Sequence, residues 1–338
     1  MAALAETHPT LLDLAKRLDP DGTIAPIVEI LNQTNEILLD MVWMEGNLPT
    51  GHRSTIRTGI PQGTWRKLYG GVQPSKSTTA PVTDTCGMLE AYAEIDKALA
   101  DLNGNTAAYR LSEDKAFIEG MNQQMANALF YSNEATNPER FTGFAPRFND
   151  FLTAESADNM IDGGSAGGQT DNASIWLVGW SDATVHGIIP KGSKAGLQHR
   201  DLGEVTLESA IDGNGGRMQA YRSHYRWDAG LTVRDWRYVV RIFNIDKSTT
   251  LADASSGAKL YDLMFTAIER LPNLSAVRPV FYMSRDMRTL LRQQLSAQVK
   301  QSTLSIENVG GVRTTMFQEI PVRRVDALAA DEARIATS

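Results

Sequence analysis

Cysteine is nearly absent: Cys86 is the only one in 338 residues, which excludes an internal disulfide framework. No apolar run reaches the roughly 18 residues that a membrane-spanning helix needs, and mean hydropathy is −0.27. No basic region followed by an apolar core opens the chain, so no secretory leader is expected. Positive charge is in deficit. Lys and Arg number 33 against 40 Asp and Glu, for a net charge of −7. A chain that grips nucleic acid without regard to sequence needs a basic surface to displace counterions. That class is excluded for the chain as a whole, though not for a local basic face. Histidine is scarce too. His8, His52, His186, His199 and His224 show no metal-ligand spacing, so each is expected to be an ordinary surface or interface residue.

Catalytic signatures are also missing. There is no Gly-x-Ser-x-Gly elbow, and Cys86 carries no nucleophile signature. Asp162 to Gly168 is glycine-rich, but no Gly-Lys-Ser/Thr closes it as in a phosphate loop; a flexible connection is expected. Asp212 to Gly216 lacks the later acidic spacing of a calcium loop and reads as a turn. The acidic residues are dispersed. No catalytic, cofactor-binding or metal residue is assigned, and no cofactor is expected. An oligomeric α+β hydrolase with a site built from distant carboxylates and histidines remains the alternative. A deep pocket holding a cluster of shifted pKa values would mark it.

The composition that is present, 42% hydrophobic and 22% charged, is that of a globular protein, and the length suits two or three domains. Thr10 to Leu18 reads as a short amphipathic helix, and Ile24 to Trp43 as a second helix stopped by Gly46 and Pro49. Thr50 to Pro81 is rich in Gly, Pro, Ser and Thr. Its two β-type patches, Ser54 to Thr58 and Thr64 to Tyr69, predict an extended ribbon with few core contacts. Val82 to Leu102 is read as a strand followed by a short helix from about Asp96, although Met88, Tyr92, Ile95 and Leu99 also fit a helical period.

A long helix is predicted from Ser112. The serine can cap it, and Glu113 and Asp114 suit the positive end of the dipole. Phe117, Met121, Met125 and Ala128/Leu129 form its apolar stripe. About 20 residues at 1.5 Å each would span roughly 30 Å. Ile175 to Trp180 and Val185 to Pro190 read as strands. Tyr221, Ser223, Tyr225 and Trp227 alternate with Arg222, His224, Arg226 and Asp228, the period of a two-faced strand. Asp228-Ala229-Gly230 then reads as a turn, and Arg237 to Asp246 as another strand. Leu260 to Leu271 predicts a helix, Arg278 to Met283 a strand, and Ser284 a cap on a helix through Leu295. Val312 to Phe317 and Pro321 to Val325 read as strands.

The run Ala128-Leu129-Phe130-Tyr131-Ser132-Asn133, a short link, then Pro138-Glu139-Arg140-Phe141-Thr142-Gly143-Phe144 resembles a segment of tailed-phage major capsid proteins with the Hong Kong 97-like fold. Gly230 to Ile245 and the Val280-to-Leu328 region carry further similarity. The resemblance implies an α+β fold with an N-terminal arm (1–49), an extended loop (50–82), a peripheral domain (83–247) with a spine helix at 112–132, and an axial domain (248–338). The strands around Trp176 to Asp201 would supply peripheral sheet from earlier in the sequence, a topologically rearranged variant as in short-tailed phages.

The implied function is structural, not enzymatic: pentamers and hexamers tiling an icosahedral shell around double-stranded DNA. Implied intersubunit contacts are Arg53, Arg57, Trp65, Arg66 and Lys67 of the loop, with Leu11, Leu14 and Trp43 of the arm. Portal, scaffold and cement or decoration proteins are the implied partners, in the virion and, during assembly, the host cytoplasm. The net negative charge would let an inner wall release its DNA. Lys67 and Lys76 lie in the loop, but no covalent crosslink is assigned to them. A minor capsid or decoration protein is the other virion reading, told apart by copy number.

Overall fold

The computed structural model describes residues 33–102, 106–165, 171–208, 215–248, 250, 257–297, 304–309, 312–329 and 331–337. Through them run α1 (Ile37–Asp40), β1 (Trp43–Glu45), β2 (Gly51–Gly59), β3 (Thr78–Asp96), α2 (Lys97–Asp101), α3 (Thr106–Tyr131) and α4 (Phe144–Arg147). Then come β4 (Met160–Asp162), β5 (Asn172–Trp180), β6 (Val185–Ile189), β7 (Gln198–Glu208), β8 (Arg217–Val233) and β9 (Val239–Asp246). The chain continues through α5 (Leu260–Glu269), β10 (Arg278–Met283), α6 (Arg285–Ala297), β11 (Leu304–Val309), β12 (Val312–Phe317) and β13 (Ile320–Arg324).

Two compact units form, each from separated stretches. One holds 1–34, 88–126 and 194–228, and the other holds 35–87, 127–193 and 229–338.

In the first unit β8 carries its expected alternation. Arg222, His224 and Arg226 face Glu94 and Glu90 of β3, while Tyr225 packs with Ala93 and Met121. Phe117 stacks on Tyr225 at 6.3 Å, so the upper half of the α3 stripe covers this sheet. Tyr109 is buried with Ile95, Leu99 and Ala100. Edge strand β7 pairs with β8 from Gln198↔Arg226 to Glu208↔Arg217.

In the second unit the strands follow the order β11-β12-β13-β10-β5-β6, and the end of β8 pairs with β6 from Val185↔Val233 to Ile188↔Gly230. β5 lies between β10 and β9, antiparallel to both, and all nine of its residues are buried. Such a strand reads as one continuous apolar run because neither face meets water. Ile175 and Leu177 enter a core with α5, α6 and Phe317. Trp176 and Trp180 enter an aromatic cluster with Phe130, Phe144 and Phe148, ring centroids 5.8–6.2 Å apart.

Several expectations are corrected. The long helix starts at Thr106, so Ser112 is interior and caps nothing; Thr106 instead donates to Asp101 at 2.6 Å. Nothing from Thr106 to Leu111 resists helix. Of the expected helix from Ile24 to Trp43, the described part is helical only over Ile37–Asp40. Trp43 is in a strand paired in parallel with Gly187 of β6. The expected helix at Thr10 to Leu18 lies outside the described residues.

Asp228-Ala229-Gly230 is no turn, because β8 runs through it. Gly230 is there for space: a Cβ would lie 2.5 Å from the Thr85 carbonyl oxygen. β11 was not expected; it pairs with β12 from Leu304↔Phe317 to Val309↔Val312.

Candidate intersubunit surface

The ribbon is built differently from the two expected patches. β2 pairs with the start of β3, from Gly51↔Thr85 to Gly59↔Thr78, and not with Thr64 to Tyr69. Residues 60–77 between them hold one hydrogen-bonded turn, Gly70 N–H to Lys67 C=O at 3.0 Å, with Tyr69 at a positive φ of 64°. The base is fixed by Asn47. Its amide donates to the Arg53 carbonyl and accepts from the Arg53 N–H, both at 2.7 Å, in the manner of an added strand residue.

Arg53 and Arg57 project from β2 into solvent, and Arg66 and Lys67 are exposed beyond it. Trp65 (102%), Leu68 (86%) and Tyr69 (104%) are as exposed as in an open peptide. Large apolar side chains grouped this way on a ribbon mark a surface that a partner covers. Trp43 is half-buried, its ring filling the space over Gly187, where a Cβ would lie 2.6 Å away. Leu11 and Leu14 lie outside the described residues.

The segment that carries the capsid resemblance has a physical reason for its residues. The Ser132 hydroxyl lies 2.6 Å from the Ala128 carbonyl and 2.5 Å from the Phe141 carbonyl, and the Gly143 N–H donates to the Ser132 carbonyl at 2.9 Å. The Asn133 carbonyl accepts from the backbone of Thr136 and Asn137. The hook therefore folds back hard against the end of α3. A Cβ on Gly143 would sit 2.6 Å from the Ala128 oxygen and 2.7 Å from the Leu129 oxygen, both backbone atoms. Gly143→Ala is expected to destabilise the fold by about 2–4 kcal/mol, since backbone must move. Urea unfolding reads this, and a loss below about 1 kcal/mol would refute the close-approach account.

A buried clasp was invisible in the sequence. Arg241 of β9 pairs with Glu332 at 2.8 Å, with side-chain exposures of 5% and 9%. Glu332 also accepts from Tyr131 Oη at 2.6 Å and from Ser174 Oγ. Arg241 donates to the Phe148 carbonyl at 2.7 Å and lies over the Trp176 ring. The tail beyond is held by Asn244, which donates to and accepts from the Ile335 backbone, both at 2.9 Å.

Two histidines expected at the surface or an interface, His52 and His186, are buried within the subunit. His52 pairs across strands with Asp84, and His186 with Thr232. Their rings meet edge to face at 5.9 Å. Arg234 reaches His52 Nε2 at 3.3 Å, and Arg147 pairs with Asp84 at 2.8 Å. Burial, then Arg234, then His52 pull the His186 pKa down to about 4. Burial followed by Arg234 also lowers that of His52, against a smaller opposing pull from Asp84. Of the remaining histidines, His199 stacks on Tyr225 and His224 on Tyr92. Among the described residues no three His, Cys, Asp or Glu side chains gather where a metal ion could be held, and no helix is long and apolar enough to cross a membrane.

An α+β subunit with an outreaching ribbon and apolar tip is of the class that builds shells from many copies. The family model "Major capsid protein GP7" matches residues 19–336, and the chain belongs to that family, the tailed-phage major capsid proteins with the Hong Kong 97-like fold. It is similar, at 37% identity and a TM-score of 0.80, to a chain in the near-atomic-resolution structure of bacteriophage Epsilon15, with 99% of this chain and 100% of that one covered. The bacteriophage JBD30 capsid gives a TM-score of 0.47 at 10% identity, over 90% of this chain and 91% of that one. The capsid of the native GTA particle gives 0.44 at 10%, over 67% and 95%. Likenesses this weak carry no argument. No curated protein matches the chain. Its function is that of a head-shell protein of the virion.

Proposed function

We propose that the subunits close into pentamers and hexamers through the ribbon and the N-terminal arm, and that the protein works entirely through these surfaces, without catalysis. The exposed tip formed by Trp65, Leu68 and Tyr69 carries this reading. In the assembled shell the tip lies against a neighbouring copy. Arg53, Arg57, Arg66 and Lys67 fix its orientation by pairing with that copy's carboxylates, while Trp65 supplies the buried anchor. Leu11 and Leu14 of the arm and the exposed part of Trp43 complete the contact. Each contact is modest, and closure of many at once stabilises the shell. Assembly takes place in the host cytoplasm, with portal, scaffold and decoration proteins as further partners.

Replacing residues 60–77 by a two-residue Asn-Gly turn tests this. The β2–β3 pairing from Gly51↔Thr85 to Arg57↔Thr79 stays intact, so the subunit is expected to keep its circular dichroism and melting midpoint. Electron microscopy is expected to show no closed shells. Normal shells from the shortened chain would refute the ribbon's role.

A further inference from the structure

In the second unit six arginines gather around three carboxylates. Arg323 lies 3.3 Å from both Glu36 and Asp40, and Arg278 lies 3.9 Å from Asp40. Arg324 and Arg285 share Asp326 at 2.5 and 3.4 Å. The carboxylates are thus taken. Arg288 and Arg292 stand one turn apart on α6, and among the described residues no carboxylate lies within ion-pair distance of either. Instead both donate to one atom, the Thr315 hydroxyl oxygen, at 2.7 and 2.9 Å.

Thr315 is buried on β12, and Arg288 Nε is buried without a hydrogen-bond partner. Like charges four residues apart on a helix repel. The field at Arg288 reflects it: burial first, and then Arg292, lower its pKa, with Arg324 and Arg323 acting the same way against Glu36. Two guanidiniums offer ten N–H donors, and the one hydroxyl they share occupies few of them.

We propose that Arg288, Arg292 and Thr315 form an oxyanion site that takes a phosphate group. The guanidinium fork matches phosphate oxygens bidentately, and phosphate offers more acceptor oxygens than a single carboxylate. The surplus is three positive charges, six arginines less three carboxylates, on a chain whose total is −7. This is a local basic face on an otherwise anionic protein. The same chemistry fits inorganic phosphate and the backbone of a DNA duplex. The site does not depend on how the subunits form rings, so it is tested on the purified full chain.

The melting midpoint is measured in sodium phosphate against sodium chloride at equal ionic strength and pH 7.5. Binding of a labelled 20-base-pair duplex is followed by fluorescence anisotropy from low to physiological salt. Phosphate is expected to raise the midpoint, and Arg288→Gln/Arg292→Gln to abolish the rise. If the duplex is the source, the double variant is expected to weaken it about 10-fold and reduce the log–log salt slope by about 2. A variant-sensitive response to inorganic phosphate alone would assign the site to free phosphate. If the double variant does not fold, Arg292→Gln, whose side chain is exposed, is expected to show part of each loss. Equal phosphate and duplex responses in wild type and variants would overturn the proposal. So would loss of self-association in a variant when wild type responds to neither probe, because that result assigns the arginines to a neighbouring copy's carboxylate.

Discussion

Glu332→Ala is expected to cost about 3–5 kcal/mol of folding stability, because it leaves a buried cation without its counter-charge. Arg241 would keep only neutral acceptors, Ser174 Oγ at 3.2 Å and the Phe148 carbonyl. Tyr131 would lose the carboxylate that accepts its proton, keeping only the Ala329 N–H, which donates to its oxygen at 2.9 Å. Burial, then Glu332, raise the Tyr131 pKa well above its ordinary value, so the phenol stays a donor throughout the accessible range. The clasp joins the end of α3, β5, β9 and the C-terminal tail. Its loss should therefore free the tail before the rest unfolds.

Removing both charges separates pairing from packing. Arg241→Met/Glu332→Leu is expected to recover much of the loss, since an apolar pair of similar volume avoids the cost of burying two ions. Urea unfolding of Arg241→Met, Glu332→Leu and the double completes the cycle. A loss below about 1 kcal/mol for Glu332→Ala, or strict additivity in the double, would show that the clasp does not hold the tail.

Elements whose residues satisfy a local rule were legible. β5 holds the apolar run Ile175 to Val178, β9 is rich in β-branched residues, and β8 alternates cleanly because one face meets α3 while the other carries charge. The hook after α3 was legible as a resemblance, and its Ser132 and Gly143 are fixed by carbonyls only a few residues away. What failed depends on partners distant in sequence. Thr64 to Tyr69 has strand-forming residues but no strand to pair with, since β2 is taken by Thr78 to Thr85. Asp228-Ala229-Gly230 has turn chemistry, yet Arg226 pairs with Asp228 and close approach of β3 demands the glycine. Arg241 and Glu332 stand 91 residues apart, and nothing in either neighbourhood points to the other. The exposure of Trp65, Arg66 and Lys67 has a local cause, because Gly and Pro on both sides leave them no core to enter. The convergence of Arg288, Arg292 and Thr315 needed the β12–α6 packing to be seen.

The second large effect is a loss of stability in acid centred on His186. The unfolded chain takes up a proton at this residue near pH 6.5, whereas the folded chain refuses it until about pH 4. Stability is therefore at its full value above pH 6.5, falls as pH drops through that interval, and levels off below about pH 4. The shift corresponds to about 3 kcal/mol, and His52, lowered in the same direction, adds to it. The cause is visible in the packing. A proton on His186 would face Arg234 and His52, against the smaller opposing pull of the Ser181 backbone and Asp182; beside His52, Asp84 is paired with Arg147. Both histidines sit on strands at the root of the ribbon, His52 on β2 and His186 on β6, so acid should loosen the ribbon's base first. His186→Leu removes the titrating group. The variant is expected to match wild type at pH 8 and to exceed it by about 2 kcal/mol at pH 4.5. Urea unfolding at half-unit steps from pH 4 to 8 measures both. An unchanged pH slope in His186→Leu would assign the acid lability to other groups.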